Sequence, residues 1–247
     1  MKGNGTLQWN SPEGNWTILR FGYTTTGVTN GPATKKGVGL ECDKMDTSAL
    51  NLHFRNFPQK LITNAGNFKS STFKFLLIDS WEAAYQNWTA NFPAEFEKRR
   101  GYSLLPWLPV LCGEIIASAA ESEAVLFDFR KTIAELIEQN YYEHLSDLCH
   151  KENLELHAEV YGGSNWPPLD VLKTNKFIDL PMSEFWASPD NNNFITYTPQ
   201  PEQSLNISSS AAIGYNKPLM GAEAYTGIAH YSESPYDLKP FGDLAFC

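Results

Sequence analysis

The sequence is poor in positive charge. Of 247 residues, 19 are Lys or Arg and 28 are Asp or Glu, which gives a formal net charge of -9 and a pI near 5.1. Nucleic acids and anionic lipids bind clustered cations, so this balance argues against both as partners. The one tight basic cluster, Lys98 to Arg100, is predicted to form the last turn of a helix, where cations stabilise the negative end of the dipole. The net negative charge is more compatible with a neutral or cationic ligand.

Several familiar signatures are also missing. The four cysteines, Cys42, Cys112, Cys149 and Cys247, are far apart and lack zinc-site spacing, so free thiols are predicted. No apolar run is long enough to span a bilayer, and the first residues lack the pattern of a signal peptide. Nothing matches a Ser-His-Asp nucleophile elbow, a phosphate-binding glycine loop or a Rossmann fingerprint.

Predicted strands alternate with predicted helices. The strand candidates are Trp16–Tyr23, Phe73–Ile78, Leu154–Val160, Phe177–Leu180 and Leu219–Tyr225. The helix candidates are Ser48–Asn64 interrupted at Pro58, a helix from Pro93 to Gly101, Glu121–Lys151 with a left-handed cap at Asn153, and Leu205–Gly214. Leu104–Val110 is expected to be a connector. The alternation predicts a parallel α/β arrangement.

The number of strands suggests an incomplete barrel. An eight-stranded (β/α) barrel needs about 250 residues, yet only five or six strand candidates are present. The chain starts close to a strand and stops inside the apolar run Asp243–Cys247. We therefore expect residues 1–247 to be a single (β/α)8 TIM-type barrel domain that is incomplete and truncated at both ends.

Three segments repeat one pattern, in which an apolar stretch runs into an acid flanked by an aromatic residue. They are Ile78-Asp79-Ser80-Trp81-Glu82, Met182-Ser183-Glu184-Phe185-Trp186 and Met220-Gly221-Ala222-Glu223-Ala224-Tyr225. Acids at the carboxyl ends of barrel strands face the mouth where barrel enzymes place their active sites. A carboxylate in an apolar setting must be paired, metal-bound or catalytic. Each acid alone fits a structural ion pair as well, but three together favour a functional site.

A fourth acid accompanies these segments. Glu159 shares a strand face with His157 because side chains alternate along a strand, so both are expected to point into the barrel or its mouth. A buried pair with Lys or Arg is an equally good explanation of Glu159. Paired carboxylates with tryptophans are typical of glycoside hydrolysis, and surplus carboxylates suit Ca²⁺. The predicted substrate-binding residues are Asp79, Trp81, Trp88, Glu159, Trp186 and Tyr225.

Over several long segments the chain resembles the catalytic domain of glycoside hydrolase family 106, the α-L-rhamnosidases. The segments that carry the resemblance are Trp16–Gly27, Gly39–Lys44, Asp79–Glu82, Gln86–Thr89, Arg99–Tyr102, Leu105–Leu111, Pro181–Trp186 and Ala222–Tyr225. They follow one another over nearly the whole chain, which makes the resemblance far more specific than any short motif.

The resemblance implies hydrolysis of terminal α-L-rhamnosides of plant-type glycans or glycosides with inversion, assisted by Ca²⁺ that helps to hold the sugar. Transferred by position, Glu82 would be the general acid, Glu223 the general base and Glu184 a calcium ligand. The family also implies a carbohydrate substrate, further parts of a longer parent polypeptide and a periplasmic or extracellular location.

Two alternatives remain open at the level of the sequence. The chain could be a non-catalytic sugar-binding module or an inactive fragment of such an enzyme, with Trp81, Trp88 and Trp186 as platforms. Retention of both Glu82 and Glu223 speaks against a pure binding module. A retaining glycosidase of other specificity is the other alternative, with carboxyl groups about 5 to 5.5 Å apart instead of the 6.5 to 9.5 Å typical of inversion.

Overall fold

A computed structural model describes residues 5–70, 72–160, 168–187, 205–227 and 232–246. The helices are α1 Thr47–Asn56, α2 Pro58–Ala65, α3 Phe92–Arg100, α4 Ala119–Ile137, α5 His144–Lys151, α6 Val171–Thr174, α7 Leu205–Gly214 and α8 Pro235–Ala245. The strands are β1 Phe75–Ile78, β2 Glu155–Glu159, β3 Leu180–Trp186 and β4 Gly221–Thr226. Short 3-10 helices cover Gly66–Ser70, Leu105–Cys112 and Asn175–Phe177, and a π-helical segment covers Glu138–Glu143.

The four strands form one parallel sheet in the order β1-β2-β3-β4. The sheet curls into a half-barrel, and each strand pairs with the next one along the chain. The predicted parallel α/β arrangement is thereby confirmed. Among the described residues, four strands of the expected eight are present.

The two faces of the sheet are packed differently. On the outer face, Leu156, Ala158 and Val160 are buried in the core. Side chains of α4 and α5 join them there: Val125, Phe129, Ile133, Leu136, Ile137, Leu145 and Cys149. The helices thus cover the outer face of the sheet, and the candidate site lies on the inner face.

The inner face follows from the alternation of side chains along each strand. Phe75 of β1 contacts His157 of β2, with ring centroids 6.2 Å apart. His157 in turn lies so close to Gly221 of β4 that a Cβ atom there would stand 2.4 Å from its Nε2 atom. The inner residues of three strands therefore meet, and an acid follows each contact along its strand: Asp79 after β1, Glu159 at the end of β2 and Glu223 within β4.

Several predicted boundaries are confirmed. Pro58 separates α1 from α2, Gly101 ends α3 with a positive φ of 82°, and Leu205–Gly214 is a helix as predicted. The long helix runs from Ala119 to Lys151 through the π-helical segment. Asn153 follows it in the left-handed conformation, with φ 56°. The start of this helix is capped by Ser118, whose hydroxyl accepts a hydrogen bond from the Glu121 N–H.

The predicted strand Trp16–Tyr23 is wrong. These residues have neither helical nor strand structure, and their side chains are exposed. Their β-branched and aromatic composition favours a strand, but a strand also needs a neighbouring ladder. Within the described ranges, no other strand pairs with this stretch.

The segment around Leu180 is also corrected. We expected a strand to end there, yet β3 begins at Leu180 and runs through Glu184 to Trp186. Residues 175–177 before it form a 3-10 turn. Leu105–Cys112, expected to be a connector, is a 3-10 helix, and α8 was not predicted. No helix in the described parts of the chain is long and apolar enough to cross a membrane.

The cysteine prediction is confirmed where the structure describes these residues. Cys42, Cys112 and Cys149 are free thiols. Cys247 lies outside the described residues.

Candidate active site

An acidic cavity of about 590 Å³ opens at the carboxyl ends of the strands. Six of the nine predicted site residues line it: Asp79, Trp81, Glu82, Glu184, Trp186 and Glu223. A parallel sheet brings the carboxyl ends of all its strands to one edge, and this geometry gathers residues that are far apart in the sequence.

Strand register explains how the acids converge. Asp79 follows β1 directly, and Glu159 is the last residue of β2. Glu184 of β3 and Glu223 of β4 are register partners. Carboxylate oxygens of Asp79, Glu159 and Glu223 lie within 4.8 Å of one another, and Glu159 is fully buried. The structure therefore joins Glu159 to the acids that line the cavity.

Glu82 lies on the loop after β1. Trp81 is buried beneath this loop, and its indole N–H donates to the Ala84 carbonyl at 2.9 Å. Ala84 adopts a positive φ of 53°. The anchored turn leaves Glu82 exposed, where it accepts a hydrogen bond from the Ser80 hydroxyl at 3.3 Å. Trp81 thus supports the loop, and its buried ring is not an open platform.

The proximity of the acids perturbs Glu184. Burial raises the pKa of the Glu184 carboxyl above its ordinary value, and repulsion from Glu223 and Asp79 raises it further. Hydrogen bonds with Thr226 and Trp186 oppose this shift in pKa. The Thr226 hydroxyl also donates to Glu223 at 2.8 Å. A proton or a bound cation near Glu184 would relieve the repulsion.

One cation, Lys44, is found among the described residues that line the cavity. Its ammonium group is buried, pairs with Glu41 at 2.6 Å and lies 5.1 Å and 5.4 Å from the ring centroids of Trp81 and Tyr141. Its backbone N–H donates to Gln86 at 2.9 Å. Lys44 is therefore already engaged, and sequence reasoning assigned it no role because neither Glu41 nor Lys44 lies at a predicted strand end.

The π-helical segment contributes two residues to the cavity lining. It interrupts the long helix at Glu138–Glu143 and places Tyr141 and Tyr142 in the lining. Burial, and then the nearby charge of Glu159, raises the pKa of the Tyr142 hydroxyl. Single-turn π-helical segments inside α-helices are frequent at functional sites. Apolar periodicity could not reveal this segment, because it reports a helix without distinguishing its hydrogen-bond spacing.

Two predicted residues lie elsewhere. Tyr225 is not in the lining of this cavity; its ring packs against Phe185 at 4.9 Å and its hydroxyl approaches Gly242 of α8. Simple alternation would put Tyr225 on the same face as Glu223. A bulge at this point and a φ of 63° at Tyr225 break the alternation and turn the ring away.

Trp88 lines a second cavity of about 1020 Å³. Glu41 lines both cavities, so they are neighbours. The same loop that carries Asp79 and Glu82 continues through Gln86 to Ala90 along the second cavity. The two cavities therefore share one wall segment and one loop.

Comparison with known proteins gives a consistent result. A protein of Formosa agariphila named "Putative beta-glucuronidase" is 41% identical over 246 residues, which cover 98% of this chain and 20% of that protein. The structure of a rhamnosidase from Novosphingobium sp. PP1Y superposes with a TM-score of 0.75 and 29% identity. The match covers 89% of this chain and 21% of that one. The chain thus spans about a fifth of the length of these relatives.

The family comparison covers more of the chain. The model of the family described as alpha-L-rhamnosidase, glycoside hydrolase family 106, matches residues 1–247. The match agrees with the similarity to a solved rhamnosidase and with an acidic cavity at the carboxyl ends of a parallel sheet. This chain therefore belongs to the glycoside hydrolase family 106 α-L-rhamnosidases.

Proposed function

We propose that the complete polypeptide carrying this chain is an inverting glycoside hydrolase that releases terminal α-L-rhamnose from plant-type glycans or glycosides. The observation that carries the proposal is the convergence of Glu82 and Glu223 on one cavity. Such a pair of carboxyl groups supplies both the acid and the base that glycoside hydrolysis requires.

In the proposed reaction, protonated Glu82 donates its proton to the glycosidic oxygen as the bond from that oxygen to the anomeric carbon breaks. Glu223 removes a proton from a water molecule, whose oxygen forms the new bond at the opposite face of the same carbon. Glu82 lies on an exposed loop, where it can reach a leaving group. Thr226 holds the Glu223 carboxylate by a hydrogen bond and so fixes its orientation.

The resemblance also implies calcium, and the side chains present fit such an ion. Carboxylate oxygens of Asp79, Glu159 and Glu223 lie close enough to share one ion, and the pKa of neighbouring Glu184 is raised by burial and nearby negative charge. Ca²⁺ takes six to eight oxygen ligands, including carboxylates and waters. We propose that Asp79 and Glu159 hold Ca²⁺ beside Glu223, and that Glu184, the register partner of Glu223, is a further ligand, as the resemblance implies. When bound, the ion would supply coordination for sugar hydroxyls.

The name of the Formosa agariphila relative raises a second substrate class, the glucuronides. A glucuronide carries a carboxylate that would be expected to pair with Arg or Lys. In the described lining of the acidic cavity, the one such cation is Lys44, and Glu41 already binds it. An uncharged sugar such as rhamnose suits this cavity better.

The relatives' length supports a further part of the proposal. We infer that the four described strands belong to a (β/α)8 barrel and that other parts of a longer polypeptide supply the remaining strands. Phe75 and Leu77, whose register places them on the inner face of β1, are exposed, as expected for residues that additional strands would cover.

The function is tested by following release of the chromophore from an aryl α-L-rhamnoside by the complete polypeptide. Glu82→Gln and Glu223→Gln are expected to lower kcat by at least about a hundredfold, the usual contribution of a general acid or base. Glu114→Gln, an exposed acid outside the lining of the cavity, is the matched control and should retain activity. Full activity in both site variants would contradict the assignment, whereas rhamnose binding without turnover would favour a binding module.

Calcium is tested separately. A chelator should lower the activity of the unmodified protein, and added Ca²⁺ should restore it. Asp79→Asn should need more Ca²⁺ for half-maximal activity, because it removes one charged ligand. If Glu223 is a base and not an essential ligand, Glu223→Gln should still bind Ca²⁺ in calorimetry while remaining inactive.

A further inference from the structure

We propose that the second cavity is the subsite for the leaving group and that it binds a neutral, hydroxylated ring with an apolar face. The inference rests on the proposed function, since a leaving group is defined only when the neighbouring acidic cavity holds the sugar that is released. The leaving-group subsite would determine which rhamnosides the enzyme hydrolyses.

Position is the first support. The leaving group departs on the side of the general acid, because that residue protonates the glycosidic oxygen. Glu82 and Trp88 lie on the same loop between β1 and α3, at the acidic and the second cavity respectively. Glu41 lines both cavities. A substrate that lies across Glu41 would therefore place its rhamnose in the acidic cavity and its leaving group in the second cavity.

The aromatic side chains of the lining pack against one another. Trp88 is half-buried, and one face stacks on Phe92 with centroids 5.1 Å apart and planes inclined by 28°. Phe92 is fully buried and packs against Phe129 at 5.1 Å. Tyr23 is largely exposed, and its ring centroid lies 6.2 Å from that of Trp88. Ring ligands bind to oriented aromatic side chains of this kind at little cost in conformational entropy.

Polar groups complete the lining. The consecutive hydroxyls of Thr24 to Thr26 and the exposed amide of Asn87 can donate to and accept from ring hydroxyls. Small-molecule sites combine a mainly apolar wall with a few such groups. The cavity therefore suits a ring that has an apolar face and a hydroxylated edge.

Charge restricts the ligand further. In the part of the lining that the structure describes, Glu41 and Asp43 are acids and no Lys or Arg is present. Glu41 is paired with Lys44, and Asp43 accepts a hydrogen bond from the Met45 N–H at 2.9 Å. An anionic leaving group would meet carboxylates without a free cation. A neutral sugar or a neutral phenol has the required chemistry.

The experiment compares three substrates of the complete polypeptide: methyl α-L-rhamnoside, a rhamnosyl-glucose disaccharide and the rhamnoside of a hydroxylated polyphenol. Trp88→Ala and Tyr23→Ala are the test variants. Tyr23 is 65% exposed, so its loss should leave the fold intact even if Trp88→Ala is unstable. Tyr85→Ala is the matched control, since Tyr85 lies on the same loop, is exposed and lines neither cavity.

We expect Tyr23→Ala and Trp88→Ala to lower kcat/KM about tenfold for at least one ring-bearing substrate. This loss corresponds to about 1.4 kcal/mol of transition-state binding free energy. The methyl rhamnoside should change less than about twofold, and Tyr85→Ala should affect none of the three. The ring-bearing substrate with the larger loss identifies the source of the ligand, sugar or phenol.

Equal losses for all three substrates in Tyr23→Ala, or no loss for any, would overturn the subsite while leaving the hydrolase intact. If the unmodified polypeptide releases rhamnose from no substrate, the proposed function fails, and the subsite fails with it. The two failures are thus distinguished by the activity of the unmodified protein.

Discussion

Replacing Gly221 with Ala probes the contact that brings β2 and β4 together on the inner face of the sheet. A Cβ atom at this position would stand 2.4 Å from His157 Nε2 and 3.1 Å from His157 Cε1. Carbon and nitrogen atoms pack comfortably at about 3.5 to 4.0 Å. The ring or the strand must therefore move by about 1 Å.

Overpacking of this kind typically costs about 1 to 3 kcal/mol. The lower part of that range applies here, because the overlap is with the tip of a side-chain ring, in a residue that is only half-buried, and not with backbone. We expect Gly221→Ala to destabilise the fold by about 1 to 2 kcal/mol. Gly39→Ala is the control, since a Cβ at Gly39 would meet no atom within 4 Å.

The assay is urea unfolding followed by tryptophan fluorescence, with a double-mutant cycle that adds His157→Ala. Removing the ring also removes the overlap, so Gly221→Ala should cost little in the His157→Ala background. The coupling energy should then be about 1 to 2 kcal/mol. Equal costs of Gly221→Ala in the two backgrounds, or equal costs at Gly221 and Gly39, would refute the proposed contact.

Two other predictions concern charge. Burial and the charge of Glu223 raise the pKa of Glu184 in the folded protein. Protonation of Glu184 therefore stabilises the folded state at pH values below the ordinary Glu pKa of 4.5. This stabilisation is lost as the pH rises through the pKa of Glu184 in the folded state. In the presence of chelator, Glu184→Gln should therefore raise the melting temperature at neutral pH and lose this advantage in acid; an advantage independent of pH would contradict the reasoning. Arg100 is largely buried against Glu135 and donates a hydrogen bond to Thr132 at 3.1 Å. Arg100→Ala should therefore lower the free energy of unfolding by about 2 to 3 kcal/mol. Lys98 is exposed in the same helical turn, and Lys98→Ala should change that free energy by less than about 0.5 kcal/mol. Equal effects of these two substitutions on urea unfolding would show that the Arg100 ion pair contributes nothing.

The elements predictable from the sequence are those whose signal is local. The period of the long helix, the glycine after α3 and the proline at the start of α2 each act within a few residues, and the structure contains all three features. Acids after apolar runs could likewise be assigned to one edge of the sheet, because parallel strands end together.

Features that depend on distant partners were not predictable. Trp16–Tyr23 has the composition of a strand, but composition does not supply a neighbouring strand. Tyr225 is turned away by a bulge against β3, and Lys44 reaches the cavity because Gln86 and Glu41 hold its loop there. In each case the decisive contact joins residues that no periodic pattern relates.

The central claim, inverting hydrolysis by Glu82 and Glu223, is tested most directly by the configuration of the first sugar released. Proton NMR of the complete polypeptide acting on an aryl α-L-rhamnoside resolves the two anomers before they interconvert. Inversion predicts that β-L-rhamnose appears first and that the α anomer follows by mutarotation. Initial release of α-L-rhamnose would demonstrate retention and would contradict the assignment of Glu223 as a base that activates water.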